Sequence, residues 1–152
     1  KRADCVIING KKNKNIENQI FSNNESIKVF YSNYKPQNIE EFQNKRIIAF
    51  AGIGNPQNFF DLLIENKLNI AETIKFPDHH KYSEKELVNL FNKIKDKNSI
   101  LLTTEKDYFR ISESHKKKIK YLKIKVEIED KNQFIEEIKK VIWKFLNIFL
   151  NL

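Results

Sequence analysis

An α/β domain is predicted for this 152-residue chain, layered as a mostly parallel sheet with flanking helices, and three features carry the prediction. Short apolar runs alternate with helical repeats along nearly the whole length. The clearest run, Arg46 to Phe50, ends in Gly52-Ile53-Gly54 and passes directly into a helix opened by Asn55-Pro56. The segment Leu122 to Ile128 alternates apolar with charged residues, the period of a strand. Strands alternating with helices build sheets of parallel strands covered by helices.

The elements follow in order. Cys5-Val6-Ile7-Ile8-Asn9-Gly10 is an apolar run stopped by glycine, the pattern of a buried strand. Lys11 to Ser26 is polar and Asn-rich, and predicts a loop or a weak helix. Ile27 to Tyr31 forms a second strand, and Pro36 to Asn44 connects it to the Arg46 run. After Asn55 as N-cap and Pro56 at the first helical position, Phe59, Phe60, Leu63, Ile64 and Leu68 recur at helical spacing. Ile74 to Phe76 makes a strand stopped by Pro77. Ser83-Glu84-Lys85-Glu86 is a capping box, followed by Leu87, Leu90, Phe91 and Ile94 on one helical face. Ser99 to Thr103 is a strand, and Thr104-Glu105-Lys106-Asp107 enters a short helix. Asp130 caps a last helix whose stripe is Phe134, Ile138, Val141, Phe145 and Phe149. Without repeats or low-complexity linkers, residues 1–152 are expected to form one domain.

Composition narrows the function classes. The net charge of +8 favours anionic partners, but it comes from Lys rather than Arg, and Lys lacks the planar fork that grips phosphate or guanine. Abundant Lys, Asn, Ile and Phe together are also what an AT-rich genome imposes. A lone Cys5 excludes an internal disulfide and a Cys-based zinc site. No run of about 18 apolar residues is present to span a bilayer. The chain contains no Met, and Lys1-Arg2-Ala3-Asp4 runs straight into a strand, so a cut within a larger architecture is expected.

Several segments could carry chemistry. Asp78-His79-His80 joins two of the three His to a carboxylate in a loop after a strand, where a doubly wound sheet binds ligands. The pair could move protons, or could merely satisfy backbone donors at a helix entry. Adjacent His do not share a face, so no metal site is expected there; His115 lies in a Lys run and is expected to be solvated. Gly52, Gly54 and Asn55 could let backbone amides approach an anion, or could simply let the turn pack tightly. Thr103-Thr104-Glu105-Lys106-Asp107 could meet a ligand or cap a helix. Lys11–Lys14 and Lys116–Lys120 are expected to be solvated faces. Val141 to Leu150 is apolar nearly all round, and either packs inward or touches a bilayer with Trp143, Lys139, Lys140 and Lys144 at the headgroups.

Taken in order, four stretches resemble the tetraacyldisaccharide 4'-kinase family, the lipid A kinases of Gram-negative bacteria. They are Arg2 to Gly10, Ala49 to Pro56 with Phe59-Phe60, Phe76-Pro77-Asp78-His79-His80-Lys81-Tyr82, and Leu101 to Asp107. The resemblance implies the Rossmann-like C-terminal half of a P-loop-type kinase that moves the γ-phosphate of ATP, with Mg2+, to the 4'-hydroxyl of a tetraacyldisaccharide 1-phosphate. It implies work at the cytoplasmic face of the bacterial inner membrane, as a peripheral protein in contact with the lipid A disaccharide precursor. The family's ATP loop, metal-binding acidic residues and a catalytic Asp belong to an N-terminal half that is missing here, so ATP and Mg2+ are expected to bind mainly there. The isolated chain is expected to be inactive. His79 is the first choice for the family's catalytic His, with His80 the alternative and Asp78 an orienting neighbour. Gly52, Gly54, Asn55, Thr104, Glu105, Lys106 and Asp107 are expected to line the substrate cleft, and no metal ligands are assigned.

Two other classes remain open on the residues alone. A basic α/β module for nucleic acid or nucleotide would need several phosphate contacts and a salt-dependent affinity; the resemblance argues for no nucleic acid. A metal-dependent phosphoesterase built on Asp78-His79-His80 would need further carboxylates or His from other strands.

Overall fold

The computed structural model describes residues 3–150, apart from the side chains of Phe145, Ile148, Phe149 and Leu150. The chain groups into two compact units, residues 36–124 and the combination of residues before 36 with those after 124. A single domain over 1–152 is what the sequence suggested.

The larger unit is the α/β layer. Its sheet runs in the order β4 (Ile70–Lys75), β3 (Arg46–Ala51), β5 (Ser99–Thr104), β6 (Ile119–Leu122), and every pairing is parallel. The mixed α/β class with a mostly parallel sheet is therefore as expected. Period-two alternation decides which side each β3 residue serves. Ile47, Ala49 and Ala51 join Phe59, Phe60 and Leu63 of α2 (Pro56–Glu65) in one core, with Leu102 from β5. Ile48 and Phe50 join Leu87 and Leu90 of α3 (Glu84–Phe91) in the other, with Leu101. A strand buried on both faces must be apolar without interruption, which is why β3 was the plainest element in the sequence.

The local signals act as read at most joints. Ser83 accepts from the Glu86 amide while Glu86 returns to the Ser83 amide, a complete capping box at α3. Pro56 stands at the start of α2, but Asn55 makes no side-chain capping bond there. The Asn-rich stretch does hold a helix, α1 (Lys14–Asn23), because the Asn13 side chain accepts from the amides of Asn15 and Ile16. Asp130 precedes the last helix with φ 52, in the left-handed region, and its carbonyl accepts from Phe134 N–H.

One expected strand is two. The alternation from Leu122 to Ile128 is divided at Lys123: β6 pairs with β5, whereas β7 (Ile124–Ile128) lies in a separate sheet with β1 (Cys5–Asn9) and β2 (Lys28–Pro36). Lys123 N–H donates to the Asn38 side chain at 2.9 Å and its carbonyl accepts from Gln37 N–H at 2.9 Å, so its backbone is held by the connector after β2 rather than by a strand ladder. Alternation continues through such a change of partner, so the pattern alone could not show it. In the smaller unit β1 pairs in parallel with β2, and Phe134 of α6 (Lys131–Leu150) meets Phe30 edge-on at 5.2 Å. Ile142, Trp143 and Leu146 of that helix are exposed; Phe145 and Phe149 of the expected stripe lie outside the described side chains. The chain also has two short helices, α4 (Glu105–Tyr108) and α5 (Glu113–Lys116).

Leu102 has no exposed surface, so Leu102→Ala leaves a cavity and is expected to lower unfolding stability by about 2–5 kcal/mol. Val88→Ala, at an exposed position of α3, is expected to change it by less than about 0.5 kcal/mol. Urea unfolding of both variants checks this, and equal effects would contradict the assigned core.

Candidate active site

Three loops leave the C-terminal ends of adjacent parallel strands: Gly52 to Asn55 after β3, Phe76 to Ser83 after β4, and the Thr104 turn after β5. That edge is where open α/β sheets bind ligands. The knot joining the loops is Asp107. Thr104 caps α4 by accepting from the Asp107 amide at 3.1 Å, which turns the Asp107 carboxylate back into the protein. There it is fully buried. It accepts from the Gly52 amide at 3.0 Å, the Thr104 hydroxyl at 2.7 Å and the Arg110 guanidinium at 3.3 Å. A buried carboxylate needs such a set of donors, since an uncompensated charge costs several kcal/mol.

Gly52 is where two loops meet. A Cβ there would lie 3.0 Å from His80 Cβ, 3.0 Å from the Tyr82 hydroxyl and 3.1 Å from the Pro77 carbonyl. The Gly52 carbonyl accepts from His79 N–H at 3.1 Å and from Arg110 at 3.1 Å. Close approach of the Phe76–Ser83 loop, by side chains as well as backbone, explains this glycine. The Tyr82 hydroxyl beside it is buried without a hydrogen bond of good geometry, and burial, then the nearby Asp107 charge, raises its pKa.

The tandem His residues have separate environments. His79 sits in the left-handed region at φ 57, a conformation that costs an L-residue about 1–2 kcal/mol. Its amide is shared between the Gly52 carbonyl and the Asp78 carboxylate, which holds it there. Its ring is 68% exposed, with Nδ1 at 3.0 Å from an Arg110 nitrogen and Nε2 at 3.7 Å from Asp78. The His80 ring is only 19% exposed. It stacks on Phe76 at 4.8 Å, meets Tyr82 edge-on, and pairs its Nε2 with Glu86 at 3.0 Å. His79 is therefore the open imidazole, and His80 fastens the loop to α3.

A family model for tetraacyldisaccharide-1-P 4'-kinase matches residues 1–143. The chain belongs to this family. A tetraacyldisaccharide 4'-kinase of Pelagibacter ubique (strain HTCC1062) is 33% identical over 144 residues, covering 93% of this chain and 46% of that protein. One from Rickettsia typhi (strain ATCC VR-144 / Wilmington) is 46% identical over 70 residues, which is 46% of this chain and 22% of the relative. This chain thus spans less than half the length of these curated relatives. The crystal structure of the apo form of LpxK from Aquifex aeolicus in complex with ATP shares the fold, with TM-score 0.52 and 21% identity over 76% of this chain and 37% of that one.

Within this tetraacyldisaccharide 4'-kinase family chain, the expected site residues fall into two groups. Asp78, His79, Gly52, Thr104 and Asp107 come together at one strand edge, with Gly54 beside Asp78. Asp107 and Gly52 are enclosed, and the hydrogen bond between them ties two loops together. Asn55 and Lys106 are exposed, and Glu105 is half-buried on α4. His115 is not solvated as expected: α5 turns it inward, its ring stacks on Phe91 at 5.6 Å, and Nε2 pairs with Glu84 at 2.9 Å. Among the described residues no cluster of three or more His, Cys, Asp or Glu is arranged to hold a metal ion.

Sequence reasoning missed Arg110. It is one of three Arg in a Lys-rich chain and stands three residues beyond Asp107, the spacing at which helical side chains pair. That exception was the available signal. It also saw Glu86 only as a cap. The Ser83 hydroxyl and amide, then His80, lower the Glu86 carboxyl from its usual 4.5 to about 2. A carboxyl with a lowered folded pKa stabilises above its unfolded value, and that contribution disappears as pH falls through the folded one. Glu86→Gln is therefore expected to melt below the unsubstituted protein at neutral pH, with the difference shrinking between pH 4.5 and about 2. Melting curves across that range check it; a difference that grows on acidification would contradict the assigned contacts.

Proposed function

We propose that this chain supplies the histidine-bearing part of the active centre of a tetraacyldisaccharide 4'-kinase, which transfers the γ-phosphate of ATP to the 4'-hydroxyl of a tetraacyldisaccharide 1-phosphate. One observation carries the reading: His79 is the exposed imidazole of the tandem pair, held in a costly backbone conformation at the ligand-binding edge of the sheet. Strained residues persist where their surroundings over-determine them, and such places cluster at functional sites.

Phosphoryl transfer asks chiefly for positioning and for stabilisation of charge on the moving group. An imidazole contributes a hydrogen bond or a proton transfer near neutral pH. Asp78 fixes the His79 backbone through its amide, and the Asp107–Arg110 pair fixes the ring. Gly54, Asn55, Thr104, Glu105 and Lys106 belong in this reading to the rim around the substrate. ATP and Mg2+ are assigned to the portion of the family's length that this chain does not span, and the chain by itself is proposed not to turn over. Peripheral contact with the cytoplasmic face of an inner membrane is part of the same proposal. Exposed Ile142, Trp143 and Leu146 beside Lys139 and Lys140 support it, and among the described residues no helix is long and apolar enough to cross a membrane.

In the full-length protein, His79→Ala is expected to lower kcat by ~10²–10⁴-fold, the range spanned by positioned hydrogen-bond donors and acid–base groups, with unchanged thermal unfolding. His80→Ala is expected to lower the melting temperature more than the His79 variant does. Disaccharide phosphorylation by purified variants tests both, and a His79→Ala enzyme at close to full rate would end this assignment.

A further inference from the structure

We infer that Arg110 is a positioning residue that holds His79 in a single tautomer, so that Nε2 carries the ring proton and presents it to an oxygen of the substrate. The inference rests on the reading of His79 as the working imidazole, but its evidence is separate.

An arginine side chain has five N–H donors, accepts nothing, and keeps its charge throughout the accessible pH range. At 3.0 Å from an Arg110 nitrogen, His79 Nδ1 can only be the acceptor. A neutral imidazole has one protonated nitrogen and one lone pair, so the proton is on Nε2. Protonating Nδ1 as well would set two donors against each other and break the contact. The other charges facing the ring are few. Asp78 Oδ2 lies 3.7 Å from Nε2, too far to consume that proton in a hydrogen bond, and Asp107 stands behind the guanidinium. Nε2–H is thus the free polar group of an exposed ring.

Arg110 suits this task because it is itself fixed. One of its terminal nitrogens donates to the Gly52 carbonyl at 3.1 Å and to Asp107 at 3.3 Å, while the other meets His79. The buried Asp107 anchors one end of a planar fork, and the imidazole sits on the other. A lysine offers a point charge and cannot span these acceptors in one geometry. The chemical consequence is that His79, in this arrangement, donates a hydrogen bond from Nε2 to an anionic oxygen. With Nε2 protonated and Nδ1 engaged by Arg110, the ring has no free lone pair, so its role in this arrangement is hydrogen-bond donation.

The test is the ring ¹⁵N spectrum of the full-length protein at neutral pH, with the His79 signals assigned by their loss in His79→Gln. The expected spectrum is that of a neutral ring protonated at Nε2. Arg110→Met is expected to give mixed tautomers and a ~10- to 100-fold lower kcat with KM for the disaccharide little changed, and Arg110→Lys to recover only part of either. A wild-type ring protonated at Nδ1, or doubly protonated, overturns the inference, as does an Arg110→Met spectrum identical to wild type. The wild-type spectrum is decisive even if Arg110→Met fails to fold. The tautomer is read without turnover, so a fully active His79→Ala enzyme would remove the functional reading and leave the Arg110 contact standing.

Discussion

The carboxylate of Asp107 is the constraint on which the C-terminal edge of the larger sheet depends. It is buried and charged, and it takes its hydrogen bonds from groups on two different loops and on its own helix end. Losing one partner of a buried pair typically costs about 3–5 kcal/mol, because the other charge is left uncompensated. The donors are therefore held as firmly as the carboxylate itself. Gly52 cannot leave, and its carbonyl in turn holds the His79 amide and Arg110. From one buried oxygen pair, order extends outward to an exposed ring.

That chain of contacts divides labour between two adjacent histidines. His80 is part of a packed cluster with Phe76, Tyr82 and Phe50, and its Glu86 partner belongs to the capping box of α3. The loop is thus fixed at one residue so that its neighbour can be open. The left-handed conformation of His79 is the local cost of this arrangement, and the shared amide bond to Gly52 and Asp78 offsets it. A glycine at position 79 would adopt that backbone more easily, but would bring no imidazole to the edge.

The elements that were plain in the sequence are those whose burial or capping is decided by neighbours in the chain. β3 is apolar throughout because helices cover both of its faces, and α3 announces itself through Ser83 and Glu86. The tandem His loop and the Thr104 turn stood out in the sequence as candidates because polar groups crowd strand ends there. What escaped depends on distant partners. The break at Lys123 is made by Asn38, far away in the chain, and leaves the alternating pattern intact. His115 lies among lysines in sequence but against Phe91 and Glu84 in space. Arg110 gains its meaning only once Gly52, Asp107 and His79 surround it. The two compact units were illegible for the same reason, since no linker composition marks either crossing.

The claim that Asp107 ties the loops together is tested most directly by hydrogen exchange in full-length protein carrying Asp107→Asn. The account predicts that the amides of Gly52 and His79 lose protection together, while those in the middle of β3 and β5 stay slow. If both loop amides exchange as slowly as in the unsubstituted protein, Asp107 is a passive buried group and the proposed line from it to His79 is broken.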